Sequence, residues 1–101
     1  MKAPVRIDFA LSARDDLIAI REWYASQGVP EVGVRQVAAI SGCVEQLSAF
    51  PDSGKMVPEF EVAWLRELEL PPYRVVYKRD SDAVTIVRVL RSERLMDPGL
   101  A

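Results

Sequence analysis

The sequence predicts an α+β fold: an N-terminal strand, then an antiparallel two-helix hairpin packed on an antiparallel three- to four-stranded sheet. Apolar residues recur at helical spacing through the first half of the chain, and strand-like alternation dominates the second half. Pro, Gly and Asp residues punctuate these segments. With 101 residues, 50% of them hydrophobic and 28% charged, the chain fits one domain over residues 1–101, whose last stretch, about 96–101, is expected to be a loose tail.

A strand and a helix are predicted at the start of the chain. Residues 4–10 alternate apolar and polar side chains, as a strand with one buried face does. Ser12 is the expected N-cap of the first helix, and Asp15 would complete a Ser-x-x-Asp capping box. Gly28 is expected to end that helix. One apolar helical face is formed by Ala13, Leu17, Ile20 and Tyr24.

The second helix is predicted to begin at Pro30, which suits a first turn, and to run to about Phe50, because Pro51 cannot continue it. The short connection predicts that the two helices pack as an antiparallel hairpin. Gly42 and Ala39 are expected to mark their closest approach. The second apolar stripe consists of Val37, Ile40, Val44 and Leu47.

Three consecutive strands are predicted after a turn-rich segment. Residues 51–62 contain turn chemistry followed by a loop or irregular strand. Residues 63–70, 73–78 and 83–90 are then expected to be strands, with a proline pair and the polar turn 79–82 between them.

The residue inventory excludes several kinds of active site. The sequence contains no histidine, which removes Ser-His-Asp and Cys-His arrangements and histidine-ligated zinc. No Gly-rich phosphate loop, metal-ligand spacing or catalytic carboxylate pair is found, and Asp15 and Asp16 would point in different directions. We therefore expect no cofactor and no metal. Cys43 is expected to be a buried, inert thiol, and Trp23 and Trp64 to pack in the core or at its edge.

No membrane partner is expected either. No stretch approaches the roughly 20 apolar residues that a membrane span requires, and the N-terminus lacks the apolar region of a signal peptide. A single cysteine excludes an intrachain disulfide. The chain is expected to be cytoplasmic.

Charge is distributed unevenly although the net charge is only −2. Acidic residues dominate 52–70, whereas basic residues dominate 73–94. The basic segment indicates either a patch for phosphates or an acidic partner, or solvated charges on an open sheet face. Its basic residues are Arg74, Lys78, Arg79, Arg88, Arg91 and Arg94.

Arg88 interrupts an otherwise apolar strand. A buried arginine needs a carboxylate partner, and Glu67 or Glu69 on a neighbouring strand could supply one. A structural ion pair and a site residue are both open interpretations. Arg88 is expected to share one face of this strand with Val84, Ile86 and Leu90.

Five segments, in their order and spacing, resemble the RelE/ParE superfamily, the toxins of bacterial type II toxin–antitoxin systems. Each segment is a weak signal alone, but together they extend from about residue 5 to residue 95. The segments are Leu11–Leu17, Leu47–Gly54, Leu65–Leu68, Pro72–Tyr77 and Val84–Leu90.

The resemblance implies an α+β toxin that a small antitoxin neutralises by wrapping it with a helix and a strand, in a hetero-oligomer. The expected interface is an apolar groove along the helices and the sheet edge that receives an amphipathic acidic segment. The candidate target- or antitoxin-binding residues are Arg66, Arg74, Arg88, Arg91 and Arg94.

Within the superfamily, the RelE-like branch cleaves messenger RNA on the ribosome. If the chain belonged there, the resemblance would assign catalytic roles to Arg66, Arg91 and Arg94. Only Lys55 stands where that branch has a lysine cluster, and no histidine or C-terminal tyrosine is present. Arginines are poor proton shuttles at neutral pH, and a pI near 5.1 suits ribosomal RNA poorly.

The helical hairpin and the segment Pro72–Tyr77 resemble the ParE-like branch more closely. That resemblance implies an inhibitor of DNA gyrase that blocks replication, has no catalytic residues of its own, and is neutralised by a ParD-like antitoxin. Direct binding of nucleic acid by the chain alone is not expected. The family often has His-Gly-Arg-Arg where this chain has Arg91-Ser92-Glu93-Arg94. A toxin with another target, or one that has lost activity, remains an alternative.

Overall fold

The computed structural model describes residues 3–96, in which two helices pack on one face of a five-stranded sheet. The predicted α+β fold class is confirmed. A 3₁₀ turn over Gln46–Ser48 follows the second helix. In chain order the elements are β1 (Arg6–Phe9), α1 (Leu11–Ser26), α2 (Pro30–Glu45), β2 (Lys55–Met56), β3 (Leu65–Leu70), β4 (Tyr73–Arg79) and β5 (Ala83–Arg91).

The strands lie in the order β1-β5-β4-β3-β2. β2 to β5 pair antiparallel, as predicted for the second half of the chain. β1 differs from the prediction because it pairs parallel with β5, with Phe9 opposite Ile86. A parallel pair needs a long crossover, which the helices and the other strands provide. The sheet has one strand more than the three to four predicted. The additional strand is β2, which lies in the segment expected to be a loop or irregular strand.

The predicted capping box at the start of α1 is wrong. α1 begins at Leu11, and Ala10 stands at the N-cap without a side-chain cap. The backbone N–H of Ala10 still donates to Ile86 O (2.9 Å), so the sheet ends where the helix begins. Ser12 Oγ donates instead to Val87 O at 2.6 Å, which ties the first turn of α1 to β5.

α2 ends at Glu45, earlier than the predicted Phe50. The backbone tightens there into the 3₁₀ turn, and Ser48 Oγ donates to Val5 O at 3.2 Å while Val5 N donates to Ser48 O at 2.9 Å. These bonds fix the start of the chain against the end of the hairpin.

The closest approach of the two helices is at Gly33, not at Gly42 and Ala39. A β-carbon at Gly33 would lie 3.1 Å from Tyr24 Cβ and 3.2 Å from Arg21 Cα, whereas one at Gly42 would meet nothing within 4 Å. Gly28 ends α1 as predicted, with a φ of +82° that a side chain would strain.

Each face of the sheet carries its own core. The helix face packs against α1 and α2, and its buried residues include Ile20, Ile40, Leu47, Val75, Val84 and Ile86. The opposite face, which we call the loop face, is covered by residues 57–62 and by Met96; its buried residues are Val57, Leu65, Val76, Val87, Leu90 and Met96.

None of the helices within residues 3–96 is long and apolar enough to cross a membrane. The loose tail was expected over about residues 96–101. Its first residue, Met96, has a buried side chain, and residues 97–101 lie outside the described residues.

Candidate functional site

A cleft of about 540 Å³ lies between α1 and the end of β5. We call it the α1–β5 cleft. The residues of α1 that line it lie on the side of the helix away from α2. Ile20, beneath them, also packs in the helix-face core. The cleft is lined by Asp16, Ala19, Ile20, Trp23, Tyr73, Val89, Leu90, Arg91 and Arg94.

Two aromatic residues line one end of this cleft. Trp23 is 53% exposed and stands edge-on to Tyr24, with ring centroids 4.8 Å apart. Tyr73 is buried, and its hydroxyl lies 3.5 Å from that of Tyr24. Burial raises the pKa of Tyr73 to about 12, so the phenol stays protonated at neutral pH and cannot act as a base. An exposed indole beside a neutral phenol is a surface for contact and hydrogen bonding.

Two arginines supply the positive charge of the α1–β5 cleft. Arg91 and Arg94 are both exposed, and Arg94 N donates to Arg91 O at 3.0 Å in the turn that joins them. Arg91 Nε donates to Glu93 Oε1 at 2.8 Å, a contact that raises the pKa of Arg91 and lowers that of Glu93. An exposed ion pair of this kind is readily exchanged for another anion.

Arg88 forms a structural ion pair, but not with either predicted partner. Its Nε and Nη2 donate to Asp16 Oδ2 and Oδ1 at 2.7 and 3.0 Å. Asp16 Oδ2 also accepts the backbone N–H of Val89 at 2.8 Å. The expectation that Glu67 or Glu69 would hold Arg88 is wrong, because α1 presents a carboxylate to the free edge of β5 just beyond the end of β1.

A β-bulge also corrects the predicted face of Arg88. Ile86 lies opposite Tyr77, but the next residue of β4, Val76, lies opposite Arg88, so Val87 is the extra residue. Opposed residues of an antiparallel pair point to the same side. Arg88 therefore shares the loop face with Val76, away from Val84 and Ile86 on the helix face.

Arg74 is also engaged inside the protein. It is only 5% exposed. Its Nη1 donates to Glu67 Oε1 at 2.9 Å and to Glu59 Oε1 at 3.1 Å, and its Nη2 donates to Glu59 Oε2 and to Arg94 O. These contacts raise the pKa of Arg74 and lower that of Glu59 to about 2. The Arg74 side chain therefore links β4 to Glu59, to Glu67 and to the backbone at Arg94.

Arg66 lies far from the other candidate residues. Its Nε donates to Ala63 O at 2.9 Å and its Nη1 to Gly54 O at 2.8 Å. The strand register places it opposite Tyr77, whereas Arg91 lies opposite Tyr73. Four residues along the strands and two strand spacings across separate the Cα atoms of Arg66 and Arg91 by roughly 16 Å.

Of the five predicted arginines, Arg91 and Arg94 line the α1–β5 cleft. Arg74 is bonded to the backbone of Arg94 outside the cleft, and neither Arg66 nor Arg88 is among the lining residues. Trp23 and Tyr73 were missed as cleft residues. Trp23 lies outside both cores, and so does Trp64, which is 46% exposed, so neither packs in the core. The other predicted position, the edge of the core, fits Trp23, whose ring stands against Tyr24 beside the helix-face core. The spacing of Asp16, Ala19 and Trp23 on one helical face was the available signal.

The chemistry of the α1–β5 cleft is that of a binding surface. It presents guanidinium groups, an exposed indole and a protonated phenol, and the sequence contains no histidine to titrate near neutral pH. No cluster of potential metal ligands occurs within residues 3–96. Cys43 is half-buried in α2, and burial raises the pKa of its thiol.

A second surface lies on the opposite flank of α1. Here a shallow groove runs between α1 and α2, which we call the hairpin groove. Ile18 and Val34 are 55% and 51% exposed along it, and Arg14 and Arg21 stand on its rim. The other lining residues are the acidic Glu22 and, mostly apolar, Phe9, Leu17, Ala25, Pro30, Val37 and Ser41.

Comparisons with known proteins agree with this architecture. The chromosomal ParDE toxin–antitoxin system of P. aeruginosa contains a chain that is 26% identical, with a TM-score of 0.75 over 88% of this chain and 97% of that one. The toxin–antitoxin complex RelBE2 of Mycobacterium tuberculosis contains one that is 27% identical, with a TM-score of 0.63 over 88% and 99%. No curated protein matches the sequence.

The family match covers nearly the whole described chain. Residues 7–96 match the family described as the ParE toxin of the type II toxin–antitoxin system parDE. That span includes both helices, all of β2 to β5, and both surfaces of α1. The chain belongs to the ParE toxin family of type II toxin–antitoxin systems.

Proposed function

We propose that this toxin acts on DNA gyrase and engages it through the α1–β5 cleft. The observation that supports this most directly is the pairing of two exposed guanidinium groups, Arg91 and Arg94, with the exposed indole of Trp23. Arginine and tryptophan are the side chains that contribute most to protein interfaces. The carboxylate of Asp16, which lines the cleft, is engaged by Arg88 and Val89 N, which suits a protein that inhibits by binding.

A messenger-RNA nuclease is the second candidate, and the likeness to a chain of the RelBE2 complex favours it. Cleavage by an attacking 2′-hydroxyl needs a base, an acid and cations around one phosphate. Arg66 is about 16 Å from Arg91 by strand register, and both of its bonded nitrogens are occupied by backbone carbonyls. Tyr73, with a pKa near 12, is no base. These placements argue for the gyrase function.

The partner that neutralises the toxin is proposed to be a ParD-like antitoxin that docks in the hairpin groove. Ile18 and Val34 offer apolar contact, and Arg14 and Arg21 offer charge complementarity to acidic residues. An amphipathic acidic segment has the pattern that fits such a groove. The likeness to chains of two toxin–antitoxin systems supports a partner of this class.

The gyrase proposal is tested with purified gyrase, supercoiled DNA and the purified toxin. The wild-type toxin is expected to increase the amount of linear, gyrase-cleaved DNA. Arg91→Glu and Arg94→Glu together should abolish that increase, whereas Arg35→Glu, an exposed arginine on α2 remote from the cleft, should retain it. Full activity of the double variant would remove the cleft from the mechanism.

The antitoxin proposal is tested by co-expression with the product of the neighbouring small gene. Ile18→Glu with Val34→Glu should lose co-purification, because both substitutions bring negative charge to a groove meant for an acidic segment. Phe50→Glu is the control, since Phe50 is 66% exposed and lies outside the hairpin groove. Equal capture of both variants would contradict the assignment of the groove.

A further inference from the structure

The last residue of β5 and the five residues after it form a short segment that carries both cleft arginines. We call residues 91–96 the C-terminal arm. Its start is held to the beginning of β4, since Arg91 pairs with Tyr73 and Ser92 N donates to Pro72 O at 2.8 Å, and Arg94 N donates to Arg91 O in the turn that follows. Its side chains are exposed from Arg91 to Leu95, so side-chain packing holds little of this stretch.

One buried and one half-buried charged residue, Arg74 and Glu59, hold the backbone of this arm. Arg74 Nη2 donates to Arg94 O at 2.6 Å, and Glu59 Oε2 accepts the N–H of Met96, also at 2.6 Å. The two side chains are bonded to each other, and Arg74 is bonded to Glu67 as well. Met96 completes the attachment, because its side chain is buried in the loop-face core.

The Glu59–Arg74 pair lies outside the cleft. Neither residue lines the α1–β5 cleft, whereas Leu90, which lies opposite Arg74, lines it and also belongs to the loop-face core. Arg94 takes part in both, since its carbonyl is bonded to Arg74 and the residue lines the cleft. The position of Arg94 in the cleft therefore depends on a backbone that is held from outside the cleft.

We infer that Glu59 and Arg74 are positioning residues, which fix the C-terminal arm so that Arg94 is presented to whatever binds in the α1–β5 cleft. This inference rests on the proposed function for the identity of the binder. An arginine on a fixed backbone loses less conformational freedom on binding than one on a free arm. Glu59 is the residue to substitute, because its single carboxylate bonds both Arg74 and the backbone N–H of Met96.

The first test measures the arm directly, by limited trypsin digestion followed by mass spectrometry. Glu59→Gln should speed cleavage after Arg94 at least several-fold relative to the wild type, because local opening exposes the bond. Cleavage after Arg35, within α2, reports global unfolding, so cleavage after Arg94 should rise by a larger factor than cleavage after Arg35. An equal rise at both sites would reflect global unfolding alone and would overturn the inference. The matched control is Glu69→Gln, which removes a carboxylate paired only with exposed Lys55. Unchanged cleavage after Arg94 would overturn the inference.

The second test connects the arm to function by a double-mutant cycle in the gyrase cleavage assay. Glu59→Gln alone should raise the half-maximal toxin concentration roughly tenfold. In an Arg94→Ala background it should cause no further loss, whereas a general loss of folded protein would be additive. Additive losses, or full activity of Glu59→Gln, would overturn the positioning role. If the wild type does not promote cleavage at all, the proposed function fails, and the digestion still decides whether Glu59 holds the arm.

Discussion

At the residue scale, ion pairs formed within the fold determine which arginines remain available to a partner. Arg74 and Arg88 are neutralised by Glu59, Glu67 and Asp16 inside the protein. Breaking a buried pair costs more than the pair contributes over an apolar replacement, because the remaining charge is left without compensation. Arg91 and Arg94 lie outside this internal network.

The Glu59 carboxylate gives the protein a specific acid sensitivity. It accepts hydrogen bonds from both terminal nitrogens of Arg74 and from Met96 N, which lowers its pKa from an ordinary 4.5 to about 2. A lowered folded-state pKa contributes stability that is complete above the unfolded-state value and is lost as the pH falls toward 2.

We therefore expect Glu59→Gln to lower the free energy of unfolding by about 2–3 kcal/mol at pH 6, and by progressively less as the pH falls from 4.5 toward 2. Urea denaturation across that pH range measures the difference. Glu69→Gln should show no such trend. A gap between Glu59→Gln and wild type that stays constant down to pH 2 would contradict the assignment.

Asp16 is the second residue whose loss should be severe. Asp16→Ala leaves the guanidinium of Arg88 and the N–H of Val89 without their acceptor, so we expect a loss of about 2–4 kcal/mol in the free energy of unfolding. Asp15→Ala, at the exposed neighbouring position, should stay within about 0.5 kcal/mol. Thermal or urea unfolding distinguishes them, and equal stabilities would show that the Arg88 pair is dispensable.

At the scale of elements, sequence periodicity was sufficient for the order and type of the helices and strands but not for their junctions. The apolar stripes of α1 and α2 predicted a hairpin that the structure contains. The start of α1 was misplaced because Ser12 bonds across to Val87 O rather than to its own helix. The bulge at Val87 leaves no trace in an alternating pattern, so the face and the partner of Arg88 could not be predicted.

Gly54 shows how one turn position supports two strands. A β-carbon there would lie 2.7 Å from both Glu67 O and Tyr77 Oη, and Gly54 N donates to that hydroxyl at 3.0 Å. Tyr77 Oη in turn donates to Pro51 O at 2.8 Å. The turn from Pro51 to Gly54 is thus fastened directly to the centre of the sheet.

Gly54→Ala is expected to destabilise the protein by about 1–3 kcal/mol, because backbone and a buried tyrosine must move to admit a methyl group. Gly42→Ala is the matched control: it lies in α2 with open space around it, and alanine there should stabilise the helix by up to about 1 kcal/mol. Unfolding free energies of opposite sign for the two variants are the expected result. A neutral Gly54→Ala would contradict the close packing at this turn.

At the scale of the whole molecule, α1 separates two surfaces of different character. The hairpin groove combines exposed Ile18 and Val34 with a basic rim, and the α1–β5 cleft combines Trp23 with Arg91 and Arg94. Such a division would let an antitoxin and a target use different flanks of one helix. The net charge of −2 does not reveal this arrangement, because the negative charges of Glu59 and Glu67 are paired with Arg74 within the fold.

The candidate site was only partly predictable from the sequence. The basic segment 73–94 identified Arg91 and Arg94, because both follow the predicted last strand, residues 83–90, although Arg91 is the last residue of β5 in the structure. Trp23 was signalled only by its helical spacing from Asp16 and Ala19, and Tyr73 joins the site through tertiary packing that no local pattern encodes. Conversely, Arg66 and Arg74 looked equally available until their internal partners were visible.

We propose that this ParE-family toxin stops DNA replication rather than translation, and pulse-labelling of cells just after induction distinguishes the two. Thymidine and methionine incorporation are followed side by side, with the Arg91→Glu/Arg94→Glu variant as the control. Thymidine incorporation is expected to fall first while methionine incorporation persists, and the variant should leave both unchanged. A first collapse of methionine incorporation would contradict the account and favour a ribosome-dependent nuclease.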